Sequence, residues 1–200
     1  MTRFYRIFHL VMRPLVWLFF PFCVHGWENV PKDRPVVLCG NHSHAMDGVL
    51  VCFAMPRTVP VRIMAKRELM EKPFLGWLLR KLGTFGVDRG HSDLTAVKTA
   101  IKAVRDGQNL LVFPEGTRVR QEGDVRPKGG AAMIALRTGV PMVPVYAGKP
   151  KKFLHMTHIV FGEPFEPKTE SRHGTAEEYQ MYADEVVRRA YALGREWEKK

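Results

Sequence analysis

Short apolar, β-branched runs alternate with helix-patterned stretches along most of this chain, and the runs are bounded by glycine, proline or asparagine. Val36 to Cys39 feeds Gly40-Asn41, and Asn109 to Phe113 stops at Pro114. Thr84 to Val87 is set among glycines, while Val61 to Ala65, Val143 to Tyr146 and His158 to Phe161 read the same way. Runs this short fit strands buried on both faces, with the intervening helices as covering layers. The expected fold is α/β: a mixed, largely parallel β-sheet covered by helices. In such sheets ligands gather at loops beyond the carboxyl ends of the strands.

The helices carry their own signals. Glu68 to Leu82 is helical with a break at Pro73. Over Ser92 to Gly107, residues Leu94, Val97, Ile101 and Val104 share one face, with Ser92 placed to cap and Gly107 to terminate. Lys128 to Thr138 is a shorter helix. Thr175 and Glu178 form a capping-box pattern, and Tyr179, Tyr182, Val186, Ala190, Leu193 and Trp197 then follow one helical face.

A length of 200 residues suits one such domain with a short appendage. Lys and Arg total 31 against 20 for Asp and Glu, a formal charge of +11. That excess favours anionic partners: nucleic acid, an anionic membrane surface or a phosphorylated substrate. No nucleic-acid recognition motif accompanies it, so a nucleic-acid partner is not expected. Cys23, Cys39 and Cys52 lack CxxC or disulfide-framework spacing, which fits reduced thiols.

Residues 1–27 stand apart. They hold Arg3, Arg6 and Arg13, no acidic residue, and a dense set of aromatics from Phe4 to Trp27. The apolar run from Pro14 to Val24 is shorter than the roughly 20 residues a spanning helix needs. No small-residue cleavage site follows it. The expectation is a membrane-interface segment over 1–27, aromatics inserted and arginines near lipid phosphates, ahead of a domain over 28–200. A hydrophobic helix packed on the domain is the competing possibility.

The first chemical constellation is Asn41-His42-Ser43-His44-Ala45-Met46-Asp47. Five residues of continuous helix would turn His42 and Asp47 about 140° apart. They meet only if His42 lies in a loop and Asp47 opens the helix behind it. A carboxylate on one imidazole nitrogen then fixes the tautomer while the other nitrogen takes a proton. No enzyme nucleophile is needed when a substrate alcohol attacks an activated thioester. His42, His44 and Asp47 also have metal-ligand types, but no second dense cluster follows, and no metal is expected. Cys39 sits inside an apolar strand and reads as core rather than nucleophile.

Two further stretches end strands with charge. Asp88 and Arg89 leave the strand before Gly90, where a guanidinium could grip phosphate or simply decorate the surface. Phe113-Pro114-Glu115-Gly116-Thr117-Arg118 follows a buried strand, so Glu115 and Arg118 must pair with each other or bind something. Gly116 allows an unusual backbone angle or a close approach. Lys128 opens a helix whose free N–H groups could hold phosphate. The glycines lack the Walker spacing, so nucleotide hydrolysis is not expected.

Together these residues resemble the glycerolphosphate acyltransferase family. Asn41-His42 to Asp47 resembles its NHxxxxD block, Gly86-Val87-Asp88-Arg89 its second block, and Phe113 to Arg118 matches FPEGTR letter for letter. Val140-Pro141-Met142-Val143-Pro144-Val145 is similar to its fourth block. The resemblance spans about residues 30–150 and implies transfer of a fatty acyl group to lysophosphatidic acid, giving phosphatidic acid. It implies His42 and Asp47 as the catalytic pair. Arg89 and Arg118 would bind the acceptor phosphate, and Glu115 would position the acceptor or organise the pocket. Gly116 and Thr117 would shape the loop, Lys66 would assist with phosphate or oxyanion, and Pro141 and Pro144 would shape the donor side. The resemblance implies acyl-carrier protein or acyl-CoA as donor, no cofactor beyond that co-substrate, and a peripheral or monotopic place on the cytoplasmic membrane face. Two alternatives stay open: another acceptor, such as glycerol-3-phosphate or another lysophospholipid, and a non-catalytic lipid-binding module.

Overall fold

The computed structural model describes residues 3–88, 93–171 and 173–199. Among these, seven strands form one sheet: β1 (Phe22–His25), β2 (Val37–Gly40), β3 (Val61–Lys66), β4 (Phe85–Val87), β5 (Asn109–Val112), β6 (Met142–Ala147) and β7 (Thr157–Phe161). Their order is β1-β7-β6-β2-β5-β3-β4. Every neighbouring pair is parallel except β6 with β7, so the sheet is mixed and largely parallel, as its short apolar runs imply.

Helices α1 (Arg3–Phe19), α2 (Asp47–Ala54), α3 (Arg67–Glu71), α4 (Pro73–Lys81), α5 (Leu94–Arg105), α6 (Gly130–Thr138) and α7 (Ala176–Trp197) surround the sheet. Side chains alternate across β2. Val36 and Leu38 enter one core with Leu50, Val51, Leu111, Val143 and Phe161. Val37 and Cys39 enter the other with Ala100, Leu110, Ala131, Ile134 and Val186. Cys39 is buried, which pushes its thiol well above the ordinary value and fits a core role.

Pro73 begins α4 as a first-turn proline, and the break it predicts separates α3 from α4. Thr175 and Glu178 make the complete capping box at the start of α7. The cap of α5 is Asp93, whose side chain accepts from Ala96 N at 2.9 Å; Ser92 lies outside the described residues.

The N-terminal segment is helical over Arg3–Phe19, through Pro14, and the helix ends before Pro21. It departs from expectation in where the sheet begins. Pro14 is exposed, so its missing N–H removes one helical bond without stranding a group in the core. Residues Phe22 to His25 then join the sheet, paired parallel to β7. The sheet therefore begins inside the expected 1–27 segment, because Pro21 stops the helix and leaves β-prone Phe22-Cys23-Val24 to pair with an open edge.

α1 rests on the domain through buried Tyr5 and His9 and through Phe8 against Phe53, while Arg13 Nε donates to Phe53 O at 3.1 Å. Its other side leaves Ile7, Leu10, Val11, Leu15 and Leu18 exposed. Among the described residues no helix is long and apolar enough to cross a membrane.

Leu111 is fully buried in β5, an interior strand beside β2. Leu111→Ala is expected to lower the unfolding free energy by about 2–5 kcal/mol in urea titrations, the usual cost of a core cavity. A loss below about 0.5 kcal/mol would mean that this face of the sheet is not the packed core described.

Candidate active site

β2 ends at Gly40 in the middle of the sheet, between β5 and β6. Asn41 pins the chain there: its Oδ1 accepts from Ala147 N at 2.7 Å and its Nδ2 donates to Ala147 O at 3.3 Å. A loop carries His42 to Met46, and Asp47 is the first residue of α2. The loop-and-helix arrangement the spacing requires is therefore present.

His42 Nδ1 lies 3.1 Å from Asp47 Oδ2. That oxygen also accepts from the backbone N–H groups of Ser43 and His44, each at 2.7 Å. The Lys151 ammonium forms an ion pair with the other oxygen, Oδ1, at 2.9 Å. Asp47 has no solvent exposure. Burial alone would push its carboxyl up, but the His42 bond, the Lys151 charge and the loop amide reverse that and hold it below the ordinary range. Asp47 is thus ionised, and it fixes the His42 proton on Nδ1. His42 Nε2 has no protein partner among the described residues and is the nitrogen a substrate can reach.

The FPEGTR loop holds His42 from three sides. The Phe113 ring stacks on the imidazole with centroids 4.4 Å apart. Glu115 Oε2 accepts from His42 N at 2.7 Å, and Val119 N donates to His42 O at 2.8 Å. Tyr191 of α7 donates its hydroxyl to Glu115 Oε1 at 2.7 Å. Both Glu115 oxygens are therefore engaged by protein donors, and the Glu115–Arg118 pair open from the sequence does not form. Burial pushes the Glu115 carboxyl up, the Tyr191 and His42 donors pull it back, and burial prevails. Gly116 has φ +67, so the turn needs glycine for its backbone angle; a Cβ there would meet only the flexible end of exposed Lys128, at 3.3 Å.

The other expected site residues are placed less centrally. Thr117 and Arg118 are exposed, and no ion pair engages Arg118 among the described residues. Lys66 ends β3, exposed, with its ammonium 2.7 Å from Glu68 Oε1. Arg89 lies outside the described residues. Pro141 and Pro144 use their carbonyls within the sheet, accepting from Val37 N and Gly162 N. His44 turns outward, its ring accepting from Met46 N at 3.2 Å rather than joining His42 and Asp47. Among the described residues no three metal-ligating side chains gather.

Sequence reasoning missed Lys151 and Tyr191. Lys151 stands among Lys149 and Lys152 with nothing local to single it out. Tyr191 falls beside the predicted apolar face of α7 and reads as packing.

Tyr191→Phe removes the donor to a buried carboxylate oxygen and is expected to cost about 1–3 kcal/mol of stability. Glu115 takes up its proton above its unfolded-state value of 4.5, so its contribution to stability falls as pH rises through that raised value. Losing Tyr191 raises it further. The deficit should therefore be small below about pH 4.5 and grow towards neutrality in urea unfolding across pH. A deficit independent of pH would show that the hydroxyl does not bond a carboxylate.

A family model described as Acyltransferase matches residues 21–148. A 1-acyl-sn-glycerol-3-phosphate acyltransferase of Borreliella burgdorferi is 37% identical over 141 residues, covering 69% of this chain and 55% of that protein. One of Bacillus subtilis is 32% identical over 148 residues, covering 70% of this chain and 72% of that protein. The match thus spans about half the length of the first relative and under three quarters of the second. The crystal structure of the 1-acyl-sn-glycerophosphate acyltransferase PlsC from Thermotoga maritima matches with a TM-score of 0.67 at 30% identity, over 94% of this chain and 77% of that one. The chain belongs to the acyltransferase family.

Proposed function

We propose that this protein transfers a fatty acyl group from the thioester of acyl-carrier protein or coenzyme A to the sn-2 hydroxyl of 1-acyl-glycerol-3-phosphate (lysophosphatidic acid), giving phosphatidic acid. The single observation that carries this is the His42–Asp47 pair, with Nδ1 committed to a buried carboxylate and Nε2 left for a substrate. The Borreliella and Bacillus relatives are named for this reaction.

In this mechanism the acceptor hydroxyl donates to His42 Nε2. As the oxygen attacks the thioester carbonyl, its proton passes to Nε2 and Asp47 stabilises the imidazolium. The tetrahedral intermediate collapses by breaking the carbon–sulfur bond, and the imidazolium proton goes to the departing thiolate. The thioester is the only co-reactant, and no other cofactor enters. Glu115 acts by holding the His42 backbone and organising the pocket. Arg118, exposed just past that loop, and Arg89 bind the acceptor phosphate. The β3–β4 register sets Lys66 opposite Val87, two residues before Arg89, which supports a shared phosphate site at these neighbouring strand ends.

The acceptor is a membrane lipid, and α1 supplies a way to reach it. Ile7, Leu10, Val11, Leu15 and Leu18 are exposed, with Arg3, Arg6 and Arg13 among them. Phe74 and Trp77 of α4 extend the apolar surface at one end, where Phe4 meets Trp77, and Phe153 extends it at the other against Phe19. α1 lies on α2, whose first residue is Asp47, about 12 Å of helix from its far end. An interfacial α1 therefore holds the catalytic corner near the bilayer, at the cytoplasmic face where both donors are found.

Purified protein with detergent-dispersed lysophosphatidic acid and labelled acyl donor should form labelled phosphatidic acid. His42→Ala should lower kcat/KM by at least about a hundredfold while leaving the circular dichroism unchanged; retained activity would remove the proposed base. A panel of acceptors in the same assay separates lysophosphatidic acid from glycerol-3-phosphate, and turnover confined to the latter would change the assigned acceptor.

Each exposed aliphatic side chain inserted in lipid contributes about 1.5 kcal/mol or more. The double variant Ile7→Asp, Val11→Asp should therefore weaken binding to vesicles containing anionic phospholipid by about a hundredfold or more in flotation assays. Unchanged flotation would place the membrane contact elsewhere.

A further inference from the structure

The loop between β6 and β7 carries Lys149, Lys151 and Lys152, and of these only Lys151 is buried, its side chain 2% exposed. Its ammonium forms an ion pair with Asp47 Oδ1 at 2.9 Å and donates hydrogen bonds to Ser43 Oγ at 2.6 Å and Ala147 O at 2.8 Å. Two of them belong to the His42–Asp47 loop, and the third is the residue Asn41 uses to anchor that loop to β6. The charge and both hydrogen bonds of the ammonium are thus directed at the structure around the catalytic pair.

A stabilising role alone does not account for this lysine. Burial lowers its proton affinity below that of an ordinary lysine even with Asp47 beside it, so holding it charged works against the fold. Asp47 already has three donors on Oδ2. What the cation adds is a second charge on the far side of the carboxylate. Without it, Asp47 faces the His42 ring as an uncompensated buried anion and strongly favours the imidazolium. A base trapped in that form cannot accept the hydroxyl proton.

We propose that Lys151 is a positioning residue for the His42–Asp47 pair: its ammonium balances the Asp47 carboxylate and tethers Ser43, so that Asp47 orients His42 without trapping the proton on it. The proposal rests on His42 acting as general base. The other charged groups around Asp47 do not replace Lys151. Glu115 lies close enough to repel Asp47, Lys149 turns outward to Arg120 O, and His44 faces away.

The test compares the parent protein with Lys151→Met, which keeps the bulk of the side chain and removes the charge. Histidine carrying ¹³C in the ring is followed by NMR through pH without substrate, with His42 assigned by its loss in His42→Gln. The His42 signal in Lys151→Met should titrate about one pH unit higher than in the parent, a roughly tenfold gain in proton affinity. The acidic limb of kcat/KM should move up by the same amount, with KM for the acceptor little changed, and Lys151→Arg should return the limb towards the parent. A folded Lys151→Met with both curves unmoved overturns the proposal. A shifted ring titration in Lys151→Met, together with a parent that transfers no acyl group, would sink the proposed function and leave the electrostatic link standing. If Lys151→Met does not fold, Asp47→Asn with Lys151→Met removes the stranded carboxylate. Folding of that double variant supports the charge balance, and failure of both shows that Lys151 serves packing and overturns the proposal.

Discussion

Asp47 is an ionised side chain sealed from water, and such a group persists only when its surroundings replace the lost hydration. Here the replacement comes from four directions. The imidazole of His42, two loop amides and the Lys151 ammonium converge on two oxygens. Three of these donors come from the loop of residues 42–46 and the fourth from the β6–β7 connection, so satisfying the carboxylate ties that loop, the first turn of α2 and the start of the β6–β7 connection together. The corner is held because one charge demands it, and the geometry of the His42–Asp47 pair follows from that demand.

The FPEGTR loop adds a second layer of constraint that acts on His42 rather than Asp47. Its phenyl ring limits where the imidazole can lie, and its Glu115 and Val119 hold both polar groups of the His42 backbone. Tyr191 carries this restraint on to α7, which the chain reaches only after the last sheet strand. The motif thus contributes two kinds of function from adjacent residues. Phe113 and Glu115 face inward and hold His42, while Thr117 and Arg118 are exposed and are the part of the motif that the proposed function assigns to the acceptor. The turn at Gly116, with its positive φ, is the point at which the chain switches from one duty to the other.

The elements that were legible in the sequence are those whose signals are local. The buried strands, the break at Pro73 and the capping box at Thr175 follow from composition and turn chemistry within a few residues. The His42–Asp47 contact was legible because a five-residue spacing permits one kind of solution. β1 was not, because Phe22 to His25 is as fitting for a lipid-facing segment as for a strand. Its pairing with β7 depends on a partner more than a hundred residues away. Lys151 and Tyr191 were hidden for the same reason. A lysine in a lysine-rich loop and a tyrosine on an amphipathic helix acquire their roles only when β6 delivers the loop to Asn41 and α7 crosses the sheet. Glu115 was singled out correctly as a charge needing a partner, but its partners are a backbone amide and a phenol rather than the nearby arginine.

Beside His42, three ionisable side chains, Asp47, Glu115 and Lys151, are buried at this corner, and their environments do not treat them alike. Burial works against the charged form of all three, and for Glu115 and Lys151 it prevails over the partners that each possesses. For Asp47 alone the partners prevail. A fold selected only for stability would do better to replace such a set with apolar side chains of the same volume. Retaining it gives something apolar packing cannot: a carboxylate that stays ionised while its neighbours carry the electrostatic strain. Asp47 can then meet an imidazolium as it forms without any group having to move. In the proposed function, the stability lost at Glu115 and Lys151 is the physical cost of a base held in place before the substrate arrives.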